Sequence, residues 1–174
     1  MALRSRTVAD VRCAPMTTAT RDAARDLLAG FLGADPHYLA SATSYGDGGT
    51  AALDRALDLF LARPELGFVW LALVDDGGRQ RVAGGCVCCY AISTARGTLV
   101  AKLDDVTVAP DWQRRGVGEA MLASLGRHLA ARGCTRIDSA CHLDNGGAWR
   151  FYERLGFRPL GEERIALLLE QGPA

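Results

Sequence analysis

The chain has 174 residues, 49% hydrophobic and 23% charged, which suits one globular domain. Its 20 Lys and Arg balance its 20 Asp and Glu, which argues against nucleic acid or an anionic membrane as the main partner. The sequence shows no apolar run of the roughly 18 residues that a membrane helix needs and no apolar signal-peptide core at its start, so we expect a cytoplasmic protein.

Hydrophobic periodicity divides the chain into short strands and amphipathic helices. Helical segments repeat apolar residues every three or four positions, and strand segments are bounded by turn signals. In chain order we predict a strand at Val8–Ala14, a helix from Thr17 or Thr18 to about Leu32, a loop at Gly33–Gly49, a helix from Thr50 to Pro64, strands at Phe68–Val74, Val82–Ile92 and Leu99–Val108, a helix from about Val117 to Gly133, a strand at Thr135–Cys141, a helix at Asn145–Leu155, and strands at Phe157–Leu160 and Arg164–Leu169.

This order of elements predicts an α/β (α+β) fold with a mixed sheet and helices on both faces. The three strands from Phe68 to Val108 predict an antiparallel meander. The segment Leu99–Cys141 predicts a parallel strand–helix–strand unit with a right-handed crossover. In open sheets of this kind, ligands bind beyond the carboxyl ends of the strands.

Three of the six cysteines, Cys86, Cys88 and Cys89, lie in one predicted strand. Neighbouring side chains of a strand point to opposite faces, and no second cysteine pair at zinc-site spacing follows. We therefore expect buried, reduced thiols and no metal site.

The junction VTVAPDWQRRGVGEAMLASL places two arginines and two glycines where a strand passes into a helix. A helix start offers unpaired backbone N–H groups and the positive end of a dipole, which together attract phosphate. Two interpretations stay open on this motif alone. The first is a pyrophosphate held by the amides of Arg114–Glu119, and the second is a flexible turn with two solvated arginines.

A second segment, NGGAWRFYERLGF, follows the next strand. With both motifs present in this order, the chain resembles the GNAT superfamily of N-acetyltransferases from Leu99 to about Leu160. The family motif Q/R-x-x-G-x-G/A follows a V-x-V strand, and a later segment reads N-x-x-A-x-x-F-Y-x-x-x-G-F. The matching residues are Val106-Thr107-Val108, Gln113, Gly116 and Gly118, followed by Asn145, Ala148, Phe151, Tyr152, Gly156 and Phe157.

The resemblance implies a GNAT-like, mostly antiparallel sheet of six to seven strands with about four helices, and acetyl-CoA as co-substrate without a metal. The V-x-V strand would splay from its parallel neighbour so that backbone groups bond the pantetheine arm, and the next helix would hold the pyrophosphate. Asn145 would contact the arm or simply cap a helix. The implied acetyl-CoA-binding residues are Val106, Thr107, Val108, Gln113, Arg114, Arg115, Gly116, Val117, Gly118, Glu119, Asn145 and Tyr152.

The resemblance also implies the catalytic groups. Tyr152 would be the general acid that donates to the departing sulfur, with a core tyrosine as the alternative. Asp105 would be the general base. Adjacent strand residues face opposite ways, so we expect only one of Asp104 and Asp105 to face the acceptor, and a structural carboxylate stays open. His142, at a strand end, is a weaker candidate for the base.

We expect residues 1–174 to form a single domain, with a variable acceptor side at 1–65 and an acetyl-CoA-binding core at 99–160. The expected reaction moves an acetyl group to the primary amine of a small molecule by direct attack in a ternary complex. The alternatives are acetylation of a protein or peptide amine and a non-catalytic acyl-CoA-binding regulatory module. A loop with His37, Tyr38, Tyr45 and Asp47 suits a small cationic amine, and Arg164–Leu169 could pair in a homodimer.

Overall fold

The computed structural model describes residues 10–36, 38–39 and 48–162, which are built around one five-stranded sheet. The spatial order of the strands follows the chain order. The first four strands pair antiparallel and the last pair is parallel, which confirms the predicted meander and the predicted parallel pair. The strands are β1 (Val11–Pro15), β2 (Gly67–Asp75), β3 (Gln80–Ser93), β4 (Thr98–Val108) and β5 (Cys134–Ser139).

Among the described residues, four helices of at least nine residues cover the two faces of this sheet, and alternate residues of β2 show how the core is divided. Val69 and Leu71 pack with Leu28 and Leu57 on one face, whereas Trp70 packs with the other helix pair. This period of two is the alternation expected of a strand buried on both sides. The helices are α1 (Arg21–Ala34) and α2 (Gly49–Ala62) on the first face, and α3 (Val117–Ala130) and α4 (Gly146–Arg154) on the second.

The predicted six to seven strands exceed the five found among residues 10–36, 38–39 and 48–162. The backbone of Phe157–Leu160 is irregular, because the Phe157 N–H donates to the Tyr152 carbonyl at the end of α4 (3.0 Å) and Pro159 has no N–H for a ladder. Its predicted partner, Arg164–Leu169, lies outside the described residues, as do the first two residues of Val8–Ala14.

Two of the three cysteines of β3 are thiols within the core, as predicted, whereas Cys89 is only partly buried. Cys86 and Cys88 are buried on the α3 face. Burial raises the pKa of Cys86, and it raises the pKa of Cys88 to about 12, so both stay protonated. Within the described part of the chain, no three His, Cys, Asp or Glu side chains are grouped to hold a metal ion. None of the helices described is long and apolar enough to cross a membrane.

The exposed glycine of α1 offers a test of this helix. A methyl group added at Gly30 would meet no heavy atom within 4 Å, so Gly30→Ala should raise the free energy of unfolding by about 0.5–1 kcal/mol. Urea unfolding followed by circular dichroism measures this gain. Gly67→Ala is the opposite case, because its methyl would lie 2.3 Å from the Cys88 carbonyl oxygen and should destabilise. A loss of stability in Gly30→Ala would contradict the helical placement of residue 30.

Candidate functional site

β4 continues beyond the end of its parallel pairing with β5, and we call the side of β4 beyond this point the gap. The pairing of β4 with β5 ends at Leu103 opposite Ser139, whereas β4 continues to Val108. On the β5 side, no strand pairs with residues 105–108 among the described residues. Backbone groups left in this way need another hydrogen-bonding partner, and an extended ligand with amide groups can supply one.

A β-bulge at Asp105 accompanies this separation. The register between β3 and β4 shifts, so that Asp105 and Val106 both lie opposite Cys86. Asp105 itself has a left-handed backbone with φ of 50°. Leu103 and Val106, three residues apart, consequently pack on the same face of the sheet, which regular alternation would forbid. The bulge interrupts the alternation on which the expectation for Asp104 and Asp105 was based, so which of the two faces the acceptor stays a prediction.

The charge of Asp104 acts on its neighbour Asp105. Burial raises the pKa of Asp105 to about 6, and the charge of Asp104 adds to this rise. Both carboxylates also raise the pKa of Cys89, which places them near the same thiol. A carboxyl group that titrates close to neutral pH can both accept and release a proton under working conditions.

The turn before α3 forms a nest of backbone amides. Arg114 and Gly116 both have left-handed backbones, with φ of 58° and 79°. Within the described residues, the N–H groups of residues 114–119 have no hydrogen-bond acceptor, and the helix has no side-chain cap. Arg115 stacks on the ring of Trp112 at 5.4 Å, which keeps its charge at the turn. Consecutive free N–H groups at a helix start favour an anion site over a plain turn.

Two contacts connect this nest to the gap. The Gln113 Nε2 donates to the Val108 carbonyl at 3.0 Å and thereby ties the turn to the end of β4. A Cβ at Gly118 would lie 3.2 Å from the Phe151 ring and 3.4 Å from Val108 Cγ2. The family resemblance placed this glycine among the implied acetyl-CoA-binding residues. In the structure, its missing side chain lets α3 approach α4.

Asn145 and Tyr152 lie at the two ends of α4. The Asn145 Oδ1 accepts a hydrogen bond from the Ala148 N–H at 3.0 Å, so the residue caps the helix, which was one of its two predicted roles. Tyr152 is half-buried between the rings of Phe151 and Phe157, whose centroids lie 5.5 and 5.1 Å from its own. The phenol is thus fixed in one orientation by edge-to-face packing.

The groups that affect the pKa of Tyr152 indicate that the side chain lies near the bulge. Burial raises its pKa to about 12, hydrogen bonding to Ser139 opposes the rise, and the charge of Asp104 adds to it, as Cys141 and Cys86 do where those thiols ionise. Cys86 is the residue opposite the bulge, and Ser139 is the last residue of β5. The structure therefore brings Tyr152 together with the bulge and with the point where the strands separate. Sequence reasoning did not single out Ser139, because an isolated serine at a strand end carries no motif.

The remaining candidates contribute less. The His142 ring nitrogen Nδ1 accepts from the Asp144 N–H at 3.4 Å in an exposed local turn. The Tyr38 N–H donates to Asp35 Oδ1 at 2.8 Å. The other residues of the predicted acceptor loop, His37, Tyr45 and Asp47, lie outside the described residues.

Comparison with known proteins covers most of the chain. Residues 28–157 match the model of the acetyltransferase (GNAT) family. An uncharacterized N-acetyltransferase of Methanocaldococcus jannaschii is 31% identical over 97 residues, which are 52% of this chain. That match spans 43% of the relative's own length, so the chain corresponds to less than half of it.

Solved structures share the fold. A Trypanosoma brucei acetyltransferase superposes with a TM-score of 0.66 at 21% identity and covers 92% of this chain and 100% of its own. AAC(6')-Iy, in complex with the bisubstrate analog CoA-S-monomethyl-acetylneamine, also has a TM-score of 0.66, at 16% identity. The match covers 94% of this chain and 100% of that protein. At these identities the likeness concerns the fold.

Proposed function

The chain belongs to the GNAT family of acetyltransferases, and we propose that it moves an acetyl group from acetyl-CoA to the primary amine of a small molecule by direct attack in a ternary complex. The observation that carries this proposal is the gap between β4 and β5, which leads into the amide nest of α3. An extended arm with a diphosphate at one end matches both parts. AAC(6')-Iy was solved in complex with CoA-S-monomethyl-acetylneamine, a bisubstrate analog. That complex supports a small amine as the acceptor in the proposed reaction.

The residues of the gap and the nest fit acetyl-CoA. When bound, this co-substrate supplies a thioester carbonyl that is open to attack by an amine. The backbone groups of Val106 and Val108 would bond amides of its arm, and the N–H groups of residues 114–119 would hold its diphosphate. Asn145 uses only its Oδ1 for the cap, which leaves its Nδ2 for the arm.

Asp105 would remove the proton of the acceptor. A lysine-like amine has a pKa of about 10.4, and deprotonating it at pH 7 costs about 4.6 kcal/mol. Removing the proton of the amine is therefore more demanding than protonating the departing thiol, and the reaction needs a base near the acceptor. Asp105 meets it because its raised pKa of about 6 makes it a stronger base than an ordinary carboxylate.

Tyr152 would donate to the sulfur. Its pKa of about 12 keeps the phenol protonated at neutral pH, and its ring is held in place by two aromatic neighbours. We also propose that residues 1–174 act as one domain, in which residues 1–65 shape the acceptor side and 99–160 hold acetyl-CoA. The buried Cys86 and Cys88 thiols suit a reducing cytoplasm.

A matched pair of variants tests the binding of acetyl-CoA. Asp and Asn at position 118 displace Phe151 to a similar extent, but only Asp puts a negative charge into the amide nest. We expect Gly118→Asp to bind acetyl-CoA at least tenfold more weakly than Gly118→Asn in calorimetry. This difference in affinity should become smaller at high salt. Equal affinities of the two variants would show that this turn does not bind the diphosphate.

The class of acceptor is tested by thiol release from acetyl-CoA. A panel of polyamines, aminoglycosides, amino acids and peptides with free amino termini separates small amines from protein amines. We expect turnover with a small amine. Turnover confined to the peptides would show that the acceptor is a peptide or protein amine instead of a small molecule. Binding of acetyl-CoA without turnover of any amine would indicate a regulatory acyl-CoA-binding module.

A further inference from the structure

Lys102 of β4 is an exposed cation on the first face of the sheet. Ala101 and Leu103 pack with α3 on the second face, so the side chain of Lys102 between them points to the first face. The apolar core beneath α1 and α2 contains residues of β2 and β3 and, within the part of the chain that the structure describes, none of β4 or β5. A small molecule that lies on this face can therefore reach the ammonium group of Lys102.

The neighbours of Lys102 on the adjacent strands leave its charge uncompensated. Lys102 lies opposite Cys89 of β3 and Asp138 of β5. Burial raises the pKa of the Cys89 thiol, so this thiol is neutral near pH 7. The Asp138 carboxylate accepts two hydrogen bonds from Arg136, from Nε at 2.6 Å and from Nη2 at 2.9 Å, which form a bidentate ion pair. In the described ranges, no carboxylate lies within ion-pair distance of the Lys102 ammonium.

The proposed base lies a short distance further along the same strand. Residues two apart on a strand point to the same side and are about 7 Å apart, so Asp104 follows Lys102 on the first face. Asp105 comes next, at the bulge, and Leu103 and Val106 on either side of the two aspartates pack on the second face. An amine that approaches Asp105 from the first face therefore has Lys102 within the length of a small molecule.

We propose that Lys102 selects acceptors that carry an acidic group beside the amine, so that the Lys102 ammonium binds the acidic group while Asp105 receives the amine. This inference rests on the proposed function. The flexible four-carbon stem of a lysine can follow either a carboxylate or a phosphate, and both groups suit a single unpaired ammonium. A polyamine would instead bring a second positive charge toward Lys102, and the two charges would repel each other.

Matched pairs of amines measure this selectivity. Ornithine differs from putrescine by one carboxylate, and ethanolamine phosphate differs from ethanolamine by one phosphate. We expect the wild type to favour the acidic member of each pair by about fivefold in kcat/KM, measured by thiol release. Calorimetry on the protein saturated with CoA should give the same preference in binding affinity, without turnover.

Three substitutions at position 102 change the charge in steps. Lys102→Arg keeps the positive charge and should keep the preference. Lys102→Gln should abolish the preference, and Lys102→Glu should reverse it by about fivefold in favour of putrescine and ethanolamine. Because residue 102 is exposed, these variants should unfold at the wild-type temperature. Arg96→Glu, in the exposed turn between β3 and β4, is the matched control for net charge and should leave the preference unchanged.

The outcomes separate this inference from the proposed function. A wild type that transfers acetyl groups to no small amine overturns the proposed function. A wild type that acetylates small amines without preferring either acidic member, or a Lys102→Glu variant that keeps the wild-type preference, overturns the role of Lys102 alone. An equal change in Arg96→Glu would assign the effect to net charge and would also overturn that role. A preference within only one of the two pairs supports the inference and identifies the acidic group as the carboxylate or the phosphate.

Discussion

Tyr152→Phe is expected to lower kcat by about 10²-fold or more, because the variant has no proton for the departing sulfur. The KM for acetyl-CoA should change little. The phenyl ring keeps its edge-to-face contacts with Phe151 and Phe157, so the fold should retain its stability. Steady-state thiol release with the best small amine of the panel measures the loss, and thermal unfolding measures the stability.

Tyr90→Phe is the appropriate control for this experiment. Tyr90 is another partly buried tyrosine on the same face of the sheet, packed against Phe68 with ring centroids 5.8 Å apart. It pairs with Ala101, well before the bulge, so its hydroxyl should not affect turnover. If Tyr152→Phe released thiol at the wild-type rate, Tyr152 would be a core aromatic residue and not the acid.

Asp105→Asn is expected to reduce activity and to raise stability. Removing the base should lower kcat by 10²-fold or more, and the variant should lose the rise in rate through about pH 6 that the wild type shows. Asparagine tolerates the left-handed backbone of this position, with φ of 50°, so the bulge should persist. The pH–rate profile and thermal unfolding at several pH values measure the two effects.

The gain in stability follows from the direction of the pKa shift. The pKa of Asp105 is raised from 3.8 to about 6 on folding, so between these values the folded chain binds more protons than the unfolded chain. Stability therefore falls as the pH rises through this window, by about 3 kcal/mol at most. Asp105→Asn removes this loss and should unfold at a higher temperature at pH 8 but not at pH 4. Asp104→Asn is the matched control, and a loss of the pH–rate limb in that variant instead would make Asp104 the base.

How far the sequence predicted the site depends on how local each feature is. The amide nest and the cap of α4 depend on residues a few positions apart, so the spacing of Gly116, Asn145 and Ala148 was enough to indicate them. The bulge depends on how β3 aligns with β4, and no local pattern around Asp105 encodes that alignment. Gly85 flanks the bulge on β3, and an added Cβ there would lie 3.2 Å from Leu27 of α1.

The same distinction explains the element that was wrong and the residue that was missed. Phe157–Leu160 has the composition of a strand, but a strand requires a partner in hydrogen-bonding position, and composition does not supply one. Ser139 is recognisable as the last paired residue of β5 only in the folded sheet. Residues with such roles become visible once the strand register is known.

The contact between Gly118 and Phe151 has a consequence for engineering this protein. Phe151 immediately precedes Tyr152, so any larger side chain at position 118 must displace a ring that supports the proposed acid. Variants that aim to change the preference for the proposed co-substrate should therefore keep glycine at position 118. The solvent-facing Arg114 and Arg115 can be varied independently, because their side chains are not part of the aromatic packing around the phenol.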